Sequence, residues 1–131
     1  SLYNTTLHSC TNLVSWTFNM RHNRSSSPFS MSGFDPAQWG LATIIACDNA
    51  DPTNATAKGY AVVMGGVGTK MTYDLVSFTG GILDIGSVAT GYTATTTPII
   101  TGIPALTGIR DVLSVKISYT ASNNSWSMLQ K

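Results

Sequence analysis

The residues that could perform chemistry are few and far apart in this chain. Only two histidines are present, His8 and His22, and the six acidic residues are all Asp because the sequence contains no Glu. Neither histidine belongs to an H-E-x-x-H motif, which would bind zinc, and no G-x-S-x-G motif positions a serine nucleophile. A catalytic triad assembled only by the fold would leave no such motif. The sequence therefore predicts a protein that is not an enzyme and that uses no cofactor or metal ion.

Two short segments contain the residue types of binding loops but not the order that binding needs. In MGGVGTKMT (64–72) the lysine follows a threonine, whereas a phosphate-binding loop needs Gly-Lys-[Ser/Thr] at the start of a helix. In DNADPTN (48–54) the acidic and amide side chains lack the central glycine and the final Glu of a calcium-binding EF-hand loop. We therefore predict a hairpin turn for the first segment. For the second we predict a solvated turn, with half of a calcium site shared between subunits as the alternative.

The segment RHNR gathers Arg21, His22 and Arg24 beside a run of serines. The guanidinium group of arginine offers a planar pair of donors that fits a phosphate or a carboxylate. These three residues are therefore a candidate contact for nucleic acid or glycan. So small a cluster would bind weakly and in a salt-sensitive manner, and the alternative is an ordinary solvated loop.

The cysteines and the glycosylation motifs leave the cellular compartment open. Cys10 and Cys47 could form a disulfide in a secreted protein, or could be two small buried side chains in a reducing compartment. No stretch approaches the ~18 apolar residues that span a bilayer, so we do not expect membrane insertion. Four N-x-[Ser/Thr] motifs, which mildly favour secretion, begin at Asn4, Asn23, Asn54 and Asn123.

The composition favours β-structure and a surface that associates readily. Only 10% of the 131 residues are charged, against about 25% in typical soluble domains. Ser, Thr, Asn and Gly, which form helices poorly, must therefore supply most of the polar surface. With a net charge of +1, long-range attraction to nucleic acid or to an acidic partner is weak. A surface with so little charge also resists self-association poorly.

Alternation of apolar and polar residues marks the clearest strands. TNLVSWTFNM (11–20) and VLSVKISYTA (112–121) alternate regularly, which predicts two strands that each bury one face. QWGLATIIAC (38–47) is apolar at adjacent positions, which indicates a strand buried on both faces, with a helix that starts after the preceding Asp-Pro pair as the alternative. The final SNNSWSMLQK (122–131) is predicted to be either an edge strand or an extended arm.

A hairpin and weaker strand patterns complete the predicted fold. YAVVM (60–64) and TKMTYDLVSF (69–78) flank a glycine-rich connection, which is typical of a β-hairpin. Further short strands are indicated between residues 81 and 97. Residues 1–131 are therefore predicted to form a single, mainly β domain. It is either an antiparallel β-sandwich or one large antiparallel sheet, with about six to seven strands.

The segment PIITGIPALTGIR (98–110) is too apolar for an ordinary solvated loop. Gly102, Pro104 and Gly108 interrupt a long helix, and Pro104 would remove a donor from a regular strand. We therefore expect an irregular connection that ends in one short helical turn near 105–114. Either it folds over the sheet or it faces another subunit, because contiguous exposed apolar surface normally marks a contact. The candidate assembly surface comprises Ile99, Ile100, Ile103, Leu106 and Ile109.

These features predict a structural protein that assembles with copies of itself, either a viral coat (capsid) protein or a capsid projecting domain located in the virion. In length, low charge and β-rich pattern the chain resembles the small coat proteins of RNA viruses, from RNA-phage coats to nodavirus-like projections, although no residue motif carries this resemblance. One alternative is a secreted or cell-surface glycan-binding module of the adhesin type. A second is an extracellular filament or pilus subunit. The expected partner is a second copy of the chain, with RNA or a host-surface glycan as further candidates.

Overall fold

Within the residues that it describes, the computed structural model of the chain contains seven β-strands and no α-helix. The described residues are 7, 10, 12–20, 41–67, 70–81, 96–102 and 112–131. Every described strand pairing is antiparallel, so the prediction of a mainly β, antiparallel protein of about six to seven strands is confirmed. The strands are β1 (Leu13–Met20), β2 (Leu41–Cys47), β3 (Lys58–Val67), β4 (Lys70–Thr79), β5 (Thr96–Ile100), β6 (Leu113–Thr120) and β7 (Ser125–Gln130).

The strands belong to two sheets that lie in two compact units of the chain. Residues 1–20 and 112–131 form the first unit, which contains a three-stranded sheet in the order β1-β6-β7. Residues 21–111 form the second unit, which contains a four-stranded sheet in the order β2-β3-β4-β5. That residues 1–131 make one sandwich domain stays a prediction.

The three-stranded sheet has one apolar face and one polar face, as the alternation of its sequences predicted. β1 and β6 pair without interruption from Leu13 opposite Thr120 to Met20 opposite Leu113. A short 3-10 turn (Ala121–Asn123) then leads into β7, so the last segment is an edge strand rather than an arm. The side chains on the apolar face are buried or half-buried: Val14, Trp16, Phe18, Met20, Leu113, Val115, Ile117, Tyr119, Trp126 and Met128.

The four-stranded sheet is built on the predicted hairpin of β3 and β4, which is confirmed. The two strands pair over ten positions, from Lys58 opposite Thr79 to Val67 opposite Lys70. Alternate residues of a strand point to opposite faces, and in this pair both sets are buried. One face buries Ala61, Val63, Val76 and Phe78, which pack together with Ala57 in an apolar cluster. The other face buries Val62, Tyr73 and Leu75.

The prediction that β2 is buried on both faces is wrong. Ile44 is 37% exposed, and among the described strands β2 has a single neighbour, β3. Its pairing with β3 is also irregular, because the register shifts between Ile44 and Ala46. The irregular part of β2 lies against Gly59, where a Cβ atom would be 2.2 Å from the Ala46 carbonyl oxygen and 2.7 Å from the Phe78 ring. A mostly apolar segment therefore marked a strand that is outermost among the described strands of its sheet, and the doubly buried strands are β3 and β4.

The segment 98–110 begins as a strand, which corrects the expectation of an irregular connection from its first residue. Pro98 lies in β5, and among the described strands β5 pairs only with β4. A proline is tolerated in such a position because it need not donate to a second neighbour. The expected helical turn near 105–114 is wrong at its end, since Leu113 and Ser114 already belong to β6. Residues 105–111 lie outside the described residues.

Candidate functional site

The predicted site residues are only partly within the described part of the chain. Arg21, His22 and Arg24, the candidate nucleic-acid or glycan contact, lie outside it, as do Ile103, Leu106 and Ile109 of the candidate assembly surface. The other two members of that surface, Ile99 and Ile100, lie half-buried in β5. Cys10 and Cys47 are half-buried and belong to different units, and a disulfide between them stays a prediction.

The oxygen-rich loop between β2 and β3 is a set of tight turns, as predicted. The Oδ1 atom of Asp51 accepts hydrogen bonds from the Thr53 hydroxyl at 2.6 Å and from the Thr53 backbone N–H at 2.9 Å. These bonds, the hydroxyl first, hold the pKa of the exposed Asp51 carboxyl below its ordinary value. Three residues later Asn54 repeats the arrangement with the hydroxyl and N–H of Thr56, at 2.8 and 2.9 Å.

The two ends of the same loop are joined by hydrogen bonds between Asp48 and Lys58. The Asp48 carboxylate accepts a hydrogen bond from the Lys58 N–H at 2.7 Å, which joins the two ends of the loop. Gly81 packs on the loop with φ of +79°, and a Cβ atom there would lie 2.4 Å from the Asn54 carbonyl oxygen. No group of three or more His, Cys, Asp or Glu residues suited to a metal ion occurs within the described ranges.

The pairing of β6 with β7 determines which backbone groups of β1 bond to β6 and which point away from the sheet. Ser114 and Lys131 exchange two backbone bonds, of 2.8 and 3.0 Å. In an antiparallel pair, exchanging and non-exchanging positions alternate, so Ser114, Lys116, Ser118 and Thr120 bond to β7. The intervening residues of β6 therefore bond to β1, where their opposites are Val14, Trp16, Phe18 and Met20. The backbone groups that point away from the sheet belong to Leu13, Ser15, Thr17 and Asn19.

This outward edge of β1, defined by Leu13, Ser15, Thr17 and Asn19, is the candidate functional site. Among the described strands β6 is the only neighbour of β1, so nothing described pairs with this edge. Each of the four side chains is exposed, and Leu13 remains 60% exposed. An edge with free N–H and C=O groups is a template on which another strand can add.

Within the described residues, the outward edge of β1 lacks four features that commonly protect a sheet edge. Protective features include charged residues, proline, bulges and short strand length. β1 is eight residues long, contains neither a charged residue nor a proline, and keeps a regular register with β6. The outer strands of the four-stranded sheet differ, since the register of β2 shifts near Ile44 and β5 contains Pro98 and pairs irregularly with β4.

The apolar face beside this edge carries a group of aromatic rings. The Trp16 and Trp126 rings stack with centroids 6.0 Å apart, and Tyr119 lies 4.6 Å from Trp126 in a tilted arrangement. Tyr119 is fully buried on the central strand, whereas Trp16 on β1 and Trp126 on β7 are half-buried. Large rings that are half-covered at the border of an apolar face are suited to contacts with a partner.

Sequence reasoning found β1 as a strand but missed its outward edge. The signal was present in the absence of charge and proline over eight alternating residues. The position of β1 at the end of a sheet depends on pairing with β6, which follows about a hundred residues later, and no local pattern encodes that pairing.

Comparison with known proteins adds no relative from which a function could be transferred. No protein-family model matches the chain, and no curated protein or solved structure is significantly similar to it. A search of the described residues for a helix that is long and apolar enough to cross a membrane finds none.

Proposed function

We propose that this chain is a structural protein that assembles with copies of itself, as a viral coat protein or a capsid projecting domain does. The observation that carries the proposal is the outward edge of β1, which is long, regular and uncharged. Such an edge would be a hazard in a protein that must stay monomeric, because it invites pairing with other chains. In a subunit of a shell or filament the same edge is useful.

The charge distribution of the first unit supports the same function. The described part of this unit contains two charged residues, Lys116 and Lys131. Its surface also leaves three large apolar side chains exposed, namely Leu13, Val112 and Leu129, at 53–66%. A surface with few charges and several exposed apolar side chains has little to prevent association. The proposed subunit is a single antiparallel sandwich domain that resides in the virion and performs no catalysis.

The proposal is tested by measuring the mass of the purified protein in solution. Size-exclusion chromatography with light scattering, run over a range of concentrations, should give species larger than the 13.9 kDa monomer. Negative-stain images of the same fractions should then show shells or regular oligomers. A ratio of ultraviolet absorbances near that of nucleic acid in purified particles would support a coat that encloses a genome.

Other outcomes of the same measurement favour the alternatives. A monodisperse monomer at every concentration would contradict self-assembly, and binding of that monomer to a glycan array would favour an adhesin-type module. Open filaments in the images would favour the filament or pilus subunit, because a non-closing contact between identical chains propagates without limit.

A further inference from the structure

We propose that two copies of the chain pair antiparallel through their β1 strands, about a two-fold axis that passes beside Trp16. This inference rests on the proposed function, because it names the partner and the geometry of one self-association contact. The result would be a continuous six-stranded sheet in which the two β1 strands lie at the centre.

The backbone groups of the outward edge of β1 are arranged symmetrically about Trp16. Their residues are Leu13, Ser15, Thr17 and Asn19, two on each side of Trp16 in sequence. When a second copy is rotated by 180°, Leu13 lies opposite Asn19 and Ser15 lies opposite Thr17. Every outward N–H and C=O group of these four residues then finds a partner, which gives roughly eight backbone hydrogen bonds. A register centred on Ser15 or on Thr17 pairs only three of the four residues within the strand.

The side chains of β1 fit this arrangement on both faces of the sheet. A two-fold axis perpendicular to the sheet keeps the two apolar faces on the same side. There Trp16 meets its counterpart in the second copy, and Val14 lies opposite Phe18. These side chains are half-buried on β1, whereas the residues of β6 that they neighbour are fully buried. Pairing would therefore cover apolar surface that β1 leaves accessible, and aromatic and β-branched cross-strand pairs stabilise a sheet.

The lack of charge selects a second copy over other partners. β1 contains no charged residue, so two copies can meet without repulsion between like charges. On the polar face of the sheet the nearest described charge is that of Lys116, which lies opposite Thr17 on the neighbouring strand β6. Nucleic acid or an acidic protein would therefore find little opposite charge along this edge, while an identical uncharged strand matches it.

The register is tested by disulfide cross-linking between singly substituted chains. In the proposed pairing the Cα atoms of residues 15 and 17 of opposite copies are about 5.5 Å apart, which a disulfide can span. Equivalent residues of the two copies, 15 with 15 or 17 with 17, are about 7–8 Å apart, which is too far. Ser15→Cys and Thr17→Cys chains should therefore cross-link when mixed and oxidised, and neither should cross-link alone. Peptide mass spectrometry separates this bond from bonds that involve Cys10 or Cys47.

Each other outcome overturns the inference in a distinguishable way. Rapid cross-linking of Ser15→Cys alone, or of Thr17→Cys alone, would move the axis to that residue. Oligomers that form without any cross-link at these positions would exclude β1 as the contact while leaving the proposed function intact. A monomer that forms no cross-link would contradict both proposals.

A proline at residue 17 provides an independent test. The Thr17 N–H points away from β6, so Thr17→Pro removes a donor from the outward edge without removing a bond within the sheet. Thr17→Val is the matched control, because it keeps both the N–H and the branched shape. We expect Thr17→Pro to weaken association about tenfold or more, and Thr17→Val to leave it within about twofold. Native circular dichroism with unchanged association in Thr17→Pro would overturn the inference.

Discussion

The two sheets of this protein differ in how completely their strands are buried. In the four-stranded sheet the central strands β3 and β4 are buried on both faces, and Val62, Tyr73, Leu75 and Val76 have no accessible surface. In the three-stranded sheet the central strand β6 is buried mainly on one face, with Ser114 and Lys116 exposed on the other. Burial of apolar surface is the main stabilising term of a fold. The central strands of the four-stranded sheet therefore contribute more to the free energy of unfolding than the central strand of the three-stranded sheet.

The outer strands of the two sheets differ in regularity, and here the three-stranded sheet has the more regular strand. The outer strands of the four-stranded sheet are irregular, through the register shift in β2 and through Pro98 in β5. β1 of the three-stranded sheet is regular over its full length and polar on its exposed face. With the proposed pairing of β1 strands, this comparison leads us to propose a division of roles, in which one sheet stabilises the fold and the other would present a surface to a second copy.

The largest expected effect comes from removing a fully buried ring from the four-stranded sheet. Phe78 is 1% exposed and packs in the cluster with Val63 and Val76. Phe78→Ala should lower the free energy of unfolding by about 3–5 kcal/mol, through lost transfer energy and the cavity that remains. The measurement is chemical denaturation at low protein concentration, where association contributes little.

Phe18 provides the matched control for this comparison. It has the same side chain but is half-buried on β1, so Phe18→Ala removes less area from contact and should cost roughly half as much. Equal losses of stability for the two variants would show that the sheets contribute equally, and the proposed division of roles would then be wrong.

A methyl group at residue 59 tests the packing between the hairpin and the irregular part of β2. Gly59→Ala would place a Cβ atom 2.2 Å from the Ala46 carbonyl oxygen, so the backbone of β2 must move. We expect a loss of about 1–3 kcal/mol of unfolding free energy, the usual cost of overpacking. Ser127→Ala on the exposed face of β7 is the control and should stay within about 0.5 kcal/mol.

A second substitution, at Phe78, tests which neighbouring atom causes the loss of stability in Gly59→Ala. The added Cβ atom would also lie 2.7 Å from the Phe78 ring, so Phe78→Leu should relieve only part of the loss caused by Gly59→Ala, because the closer Ala46 carbonyl oxygen remains. A double variant in which Gly59→Ala causes no further loss would instead place the strain at the Phe78 ring alone. A neutral effect of Gly59→Ala alone would contradict the close approach of β2 altogether.

Strands with local signals were predictable from the sequence, and their neighbours were not. The alternation in β1 and β6 and the hairpin of β3 and β4 depend on residues near in sequence, so the pattern gave their type and their buried face. The position of a strand within a sheet depends on long-range pairing. For this reason the exposed Ile44 in β2 and the strand at Pro98 in β5 were misjudged, since an apolar run has the same composition at the end of a sheet as in its middle.

The candidate site was harder to predict than the fold for a related physical reason. The exposed residues of β1 were identified as one polar face, but their backbone groups become available for pairing only because β6 uses the other edge. The sequence instead indicates the long apolar segment 98–110 as a contact surface, since the hydrophobicity of side chains can be read from a sequence, whereas a backbone edge without a described neighbour cannot. The division into two sheets also could not be derived, because local patterns do not state which strands pair.

The smallest expected effect lies in the turns of residues 51–56, outside both sheets. The Thr53 hydroxyl is the main cause of the lowered pKa of Asp51, so Thr53→Ala should raise that pKa toward its ordinary value. Thr56→Ala removes the equivalent hydroxyl from Asn54, which does not titrate, and should leave the Asp51 pKa unchanged. A side-chain carboxyl titration by NMR measures both variants.

The sign of the accompanying pH dependence follows from the direction of the shift. A carboxyl whose pKa is lower in the folded than in the unfolded chain stabilises the fold above its unfolded pKa, and this contribution is lost as the pH falls through the folded pKa. Because Asp51 is fully exposed, solvent screens the effect and it should be small. The Thr53→Ala variant should therefore lose slightly less stability on acidification than the unmodified chain. An identical Asp51 pKa in Thr53→Ala and in the unmodified chain would show that the Thr53 hydroxyl does not lower this pKa in solution.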